Sequence, residues 1–230
     1  MDTHQRQFDK ELDALKQRLL RMAGLAETMI DQAIQELLSR DEILASAIPK
    51  EEDEVNRLQI EIDEQVLTLL ATRQPVATDL RFIVAATRIN SELERIGDLV
   101  VNITENAAVL VKQPSLKPLI DIPRMATLAR DMLRNSLNSF INGDAELARQ
   151  VTLKDDEVDA LKNQVLRELL TYMIADPRAI ERALNLILIS RHLERIADHA
   201  TNIAEDVIYM IKARDVRHPK TPRTEPTEKE

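Results

Sequence analysis

Apolar residues in the first forty positions fall at Phe8, Leu12, Leu15, Leu19, Met22, Ala26, Met29, Ala33 and Leu37. Steps of three and four in near alternation make a heptad seam, which predicts one long helix. Asp41 ends that helix or caps the next element, and Pro49 is expected to separate a short turn from a second long helix. The second runs to about Arg73 with Val55, Leu58, Ile62, Val66 and Leu69 inward, and Pro75 closes it because proline disfavours helical geometry in the residue before it. A third helix is predicted from near Asp79, which can cap it, and its stripe continues through Leu93, Ile96, Val100, Ile103, Ala107 and Leu110. Pro114, Pro118 and Pro123 then crowd one stretch through which no helix runs unbroken, so the hinge between units is expected there.

The second half repeats the first. Met22, Leu25, Met29, Leu37 and Asp41 return as Met125, Leu128, Met132, Phe140 and Asp144, each 103 positions later. Asp53, Glu54, Val55 and Leu58 return at the same offset as Asp156, Glu157, Val158 and Leu161. After the second helix the offset falls to 100, where Leu93-Glu94-Arg95-Ile96-Gly97-Asp98 matches Leu193-Glu194-Arg195-Ile196-Ala197-Asp198. A difference of three residues in the loop between helices accounts for the change. The predicted fold is all-α: six long helices in two tandem three-helix bundles related by a pseudo-twofold repeat. The expected boundaries are residues 1–115, 116–213 and a tail at 214–230, whose last residues from His218 to Glu230 have no apolar content to pack, expected to be disordered.

Composition supports helices, since the chain holds only 3 glycines, no tryptophan, 2 tyrosines and 3 phenylalanines. Its 31 basic and 40 acidic residues give a net charge of −9 with no basic stripe, which argues against nucleic acid as a partner. Absence of cysteine removes disulfides and thiolate metal ligands. Met1 to Lys10 carries no apolar signal core and no charge-free run is long enough to span a bilayer, so a cytoplasmic protein is expected.

Chemistry concentrates on one repeated pattern. Rotation of about 100° per residue places Glu94, Asp98, Asn102 and Glu105 within an arc of ~80°, away from the apolar seam. Glu194, Asp198, Asn202 and Glu205 repeat that placement. Such a ridge is either a solvated face or a site for hard cations, whose preferred ligands are carboxylate and amide oxygens. Like charges at i and i+4 weaken an isolated helix slightly, so helix stability does not explain the choice. One ridge cannot fill a shell of about six oxygens, and water, neighbouring helices or several bridged ions must complete it. Glu94, Asp98, Glu194 and Asp198 are the first candidates for ligands, with Asn102, Asn202, Glu105 and Glu205 as weaker ones.

Arg95 and Arg195 beside the ridges either neutralise carboxylates or meet a partner, and Arg81 is a further partner-binding candidate, although Glu181 stands at its repeat position. Asp53, Glu54, Asp156 and Glu157 open the second helix of each unit and suit its dipole, while remaining within possible reach of a ridge. No histidine follows a glutamate by three positions, so the paired Glu-x-x-His ligands of di-iron bundles are missing. There is no glycine-rich phosphate loop, thiol nucleophile or serine-histidine constellation, and no enzyme is expected.

Arg73-Gln74-Pro75 through Leu80-Arg81, Glu92 through Asp98, Leu193 through Asp198 and the terminal Asp215-Val216-Arg217-His218 together resemble the PhoU family, regulators associated with bacterial phosphate-specific transport. The likeness runs over roughly residues 5 to 218. It implies a homodimeric cytoplasmic adaptor that links the ATPase subunit of the phosphate importer to a sensor histidine kinase, represses the phosphate-starvation response, and meets the membrane only through these partners. It also implies metal binding at Glu94, Asp98, Glu194 and Asp198, with iron, zinc, magnesium, manganese and nickel not distinguished. Ala197 departs from the glycine of the first motif. The competing expectation is an iron-handling helical bundle with oxidase or storage activity; a passive coiled coil is the third.

Overall fold

The computed structural model describes residues 3–41 and 43–213; the tail expected at 214–230, with its Asp215 to His218 motif, lies outside them. Six long helices form, together with a short one: α1 (Thr3–Ser39), α2 (Ile48–Arg73), α3 (Ala77–Val111), α4 (Asp121–Asn142), α5 (Ala145–Thr152), α6 (Asp155–Ala175) and α7 (Ile180–Lys212). No strand occurs among the described residues.

The helices start and stop for local reasons. Asp144 caps α5 by accepting from the backbone N–H groups of Glu146 and Leu147, both at 2.9 Å, and Gly143 ends α4 at φ +64°, where a side chain would be strained. Turns over residues 43–47 do precede the second long helix, but Pro49 lies just inside that helix rather than between the two. It stands in the first turn of α2, where a missing N–H leaves no helical hydrogen bond unmade, and Pro123 does the same in α4. Pro114 and Pro118 alone lie in the connection between units. Asp79 is not the cap of α3, which begins two residues earlier after Val76 without a side-chain cap; Asp79 sits in the first turn, where its charge suits the dipole.

The seams are buried as their spacing requires. Leu15, Leu19, Met22, Ala26, Met29 and Ala33 on α1 are fully enclosed, with Val55, Leu58 and Ile62 on α2 and Leu93, Ile96, Val100 and Ile103 on α3. Burying each large aliphatic side chain contributes about 1.5–3 kcal/mol, so this stripe dominates what holds the unit together. The second unit uses Met125, Met132, Phe140, Val158, Leu161, Leu193 and Ile196 in the same way.

The units join through their first and last helices. α3 lies antiparallel to α7, since Arg81 donates to the Met210 carbonyl at 3.0 Å, Arg88 pairs with the buried Asp206 at 2.7 Å, and Glu92 meets His199 at 2.6 Å. α1 packs on α4, with Arg130–Asp31 at 2.7 Å and Arg134–Glu27 at 2.5 Å along the edge. α2 packs on α1 and α3, and α6 on α7 and α4, so each unit keeps an outer seam: α2 against α3 in the first, α6 against α7 in the second.

Candidate functional site

The predicted carboxylate ridges lie on these outer seams, and each is completed from the neighbouring helix. In the first unit Glu94 of α3 interacts with Asp98 one turn on and with Glu52 of α2. Burial, with the charges of Asp98 and Glu52 against it, raises the Glu94 carboxyl above its ordinary range. Asn56, one turn beyond Glu52, donates to its carboxylate at 3.3 Å.

In the second unit Glu194 and Asp198 of α7 meet Asp155 and Asp159 of α6. Desolvation, followed by repulsion from Glu194, Asp155 and Asp159, pushes Asp198 up to about 6. Asp155 is raised for the same reasons although Thr201 donates to it at 3.2 Å. Lys162 stands among these groups and bridges them, its ammonium 2.7 Å from Asp159 and 2.5 Å from Glu194. Bonds to both carboxylates raise its own pKa.

The remaining predicted residues divide. Asn102 turns its amide back to the Asp98 carbonyl at 2.8 Å, and Asn202 donates to Glu92 across the α3/α7 contact at 3.2 Å, so neither points its amide into a cluster. Glu105 is exposed and Glu205 half-buried. Arg81 is engaged at the end of α7, and Arg95 pairs with Glu92 at 3.0 Å. Arg195 is exposed and has no ion-pair partner among the described residues. Burial disfavours the charged form of Glu92, but hydrogen bonds from His199 and Asn202 outweigh it and hold that carboxyl below its usual range.

Periodicity misses the contributions of Glu52, Asp155, Asp159 and Lys162, and places weight one residue away. Glu54 pairs instead with Arg21 and Arg57, both at 2.6 Å, and Glu157 with Arg124 at 2.7 Å. The repeat matches Glu52 with Asp155 at the offset of 103, but it matches Asp53 with Asp156 and Glu54 with Glu157 equally, so it does not single out the pair that reaches the ridge.

Both clusters offer oxygen donors from two helices, the donor chemistry of hard cations, and the raised Asp198 carboxyl reflects its desolvation and the crowding of carboxylates around it. As the side chains stand, no three His, Cys, Asp or Glu groups among the described residues converge into a ready-made metal site. A cation bound here therefore draws the carboxylates inward or retains water in its shell. No helix among the described residues is long and apolar enough to cross a membrane.

The duplicated helical frame agrees with a known domain. The PhoU domain model matches residues 19–107 and again 122–207, one match on each unit. The chain belongs to the PhoU family. Among its relatives, the phosphate-specific transport system accessory protein PhoU homolog of Aquifex aeolicus is 42% identical over 91% of this chain and 95% of its own length. The Pseudomonas aeruginosa protein of the same description is 40% identical over 92% of this chain and 88% of its own. The crystal structure of PhoU from Pseudomonas aeruginosa superposes with a TM-score of 0.87 at 38% identity, covering 90% of this chain and all of that one. The phosphate transport system regulatory protein PhoU from Streptococcus pneumoniae gives 0.78 at 26% identity, covering 91% and 99%.

Proposed function

We propose that this protein is a regulatory accessory protein of a phosphate-specific transport system. It works as a cytoplasmic homodimer and adaptor, contacting the ATPase subunit of the importer and a sensor histidine kinase, and represses the phosphate-starvation response when phosphate is plentiful. The observation that carries this reading is membership of the PhoU family across both units, with relatives named as accessory proteins of phosphate transport. Long helical faces suit docking.

The two clusters are taken to be cation sites. Glu94 and Asp98 with Glu52 hold one, and Glu194 and Asp198 with Asp155 and Asp159 hold the other. The cation supplies charge neutralisation, and the residues supply oxygen ligands from two helices so that binding braces each outer seam. The deciding experiment deletes the gene and follows phosphate-starvation transcripts in phosphate-rich medium. Derepression is expected, and normal repression removes the regulatory reading. Oxygen-dependent iron turnover by the purified metal-loaded protein would favour the oxidase or storage reading instead.

A further inference from the structure

The α6/α7 seam changes character along its length. Beyond the carboxylates it opens into a cleft of about 460 Å³ lined by Lys162, Leu166, Ile187, Arg191, Glu194 and Arg195. Leu170 stands one turn from Leu166 along α6 and Leu184 one turn from Ile187 along α7, 44% and 49% exposed, and Ile174, one turn further on α6, is 84% exposed.

The duplicated unit provides the control. At the repeat offsets, Leu166 stands in place of Asp63, Ile174 of Ala71, Ile187 of Thr87, Lys162 of Gln59, Arg191 of Ser91 and Arg167 of Glu64. Each replacement adds apolar surface or positive charge, and none adds a carboxylate. In the first unit polar contacts cross the same place, since Asn90 donates to Asp63 and to the Gln59 carbonyl, both at 3.0 Å, and Arg95 is held by Glu92, while Leu67 and Val84, the counterparts of Leu170 and Leu184, are also exposed. In the second unit His192 replaces Glu92, so Arg195 loses that anchor, and Ser190 bonds only to its own helix.

Arg167, Arg191 and Arg195 have no ion-pair partner among the described residues, and Arg191 and Arg195 are like charges one turn apart. That arrangement weakens the helix slightly and sets these two arginines, beside the Lys162–Glu194 pair, on a chain whose net charge is −9. An apolar floor with a basic rim matches a helix that presents apolar anchors at i, i+3, i+4 and i+7 with acidic flanks. We propose that the α6/α7 cleft docks an acidic amphipathic helix of a partner protein, its apolar anchors on Leu166, Leu170 and Leu184 and its carboxylates on Arg191 and Arg195. This deepens the adaptor reading and rests on it for the existence of a partner.

The test uses the full chain and fluorescence anisotropy with a labelled helical peptide carrying leucines at those spacings and glutamates elsewhere. A second peptide keeps the leucines and replaces glutamate by lysine. The glutamate peptide is expected to bind, with affinity falling as salt rises. The Arg191→Glu/Arg195→Glu variant weakens it at least about tenfold and gains binding to the lysine peptide, and Leu166→Asp weakens it similarly. Ser91→Glu, at the matching place in the first unit, leaves it unchanged, and circular dichroism verifies folding of every variant. Equal binding of both peptides, no binding of the glutamate peptide, or indifference to the charge reversal overturns the proposal. So does conversion of a dimer to a monomer by the charge reversal when wild type ignores the peptide, since a second copy would then occupy the cleft. Peptide binding and starvation transcripts are separate readouts, so failure of the cleft and failure of the regulatory reading are distinguishable.

Discussion

In the first unit the three carboxylates Glu52, Glu94 and Asp98 share their seam with neutral residues, Asn56 and, at the place of Lys162, Gln59. In the second unit four carboxylates, Asp155, Asp159, Glu194 and Asp198, share it with the Lys162 ammonium. The additional carboxylate and the additional ammonium cancel, so both clusters carry three formal negative charges. Their distribution differs. Lys162 is committed to Asp159 and Glu194, leaving Asp198 crowded by carboxylates and lifted to about 6. The last helix of each unit keeps a common ridge, and the second helix decides how that ridge is neutralised.

The largest effect that could break this comparison is loss of both sites. Asp98→Asn/Asp198→Asn removes one charge from each ridge while keeping size, and should lower metal retention of the purified protein by about tenfold or more with unchanged circular dichroism. Equal metal content in variant and wild type would make both ridges solvated surface.

Exchanging the neutralising residue sharpens the contrast. Lys162→Gln gives the second cluster the side chain of the first and takes away the ammonium; divalent cations should bind there several-fold more tightly in a titration of metal-stripped protein. Gln59→Lys should weaken the first site by a similar factor, since an added cation at ~4–6 Å opposes another. If neither exchange moves affinity, Lys162 is only a surface ion pair.

A third effect is on stability without metal. The folded pKa of Asp198 lies above its unfolded value of 3.8, so its contribution is most favourable below that value and is lost as pH rises through about 6. Asp198→Asn should therefore raise the melting temperature of the metal-free protein at pH 8 by a few degrees, allowing for solvent screening at this exposed position. The gain should shrink as pH is lowered toward 5. A gain independent of pH would mean that the carboxylate is not under strain.

The smallest effect concerns the one residue by which the two motifs differ. A Cβ on Gly97 would meet Val55 Cγ1 at 3.4 Å, an ordinary contact, and Ala197 occupies the equivalent place fully buried. Gly97→Ala should stabilise α3 by about 0.5–1 kcal/mol, read from denaturant unfolding. Destabilisation would show that the two units differ in how closely the last helix approaches the second.

The seam of α1, the repeat at two offsets and the glutamate–aspartate ridges were legible because each depends on periodicity along one helix. Helix starts were less so. Asp79 in the first turn of α3 and a true cap such as Asp144 are both acidic residues near a start, and only the backbone distinguishes them. Pro49 and Pro123 signal a break in sequence yet are tolerated in first turns. The partners of the ridges were hidden for a different reason: whether Glu52 or Asp53 meets α3 depends on how two helices are rotated against each other, which no single-helix pattern contains.

Lys162 has one more consequence. It is a counter-ion fastened to the chain, so dilution does not lower its concentration beside Asp159 and Glu194; tethered groups of this kind act at effective concentrations of roughly millimolar or above. On the proposed cation reading an ion entering the second cluster competes with this ammonium, whereas Gln59 stands at the matching place in the first. The first cluster is then expected to fill at a lower concentration than the second, so that a titration of the metal-free protein would show two steps.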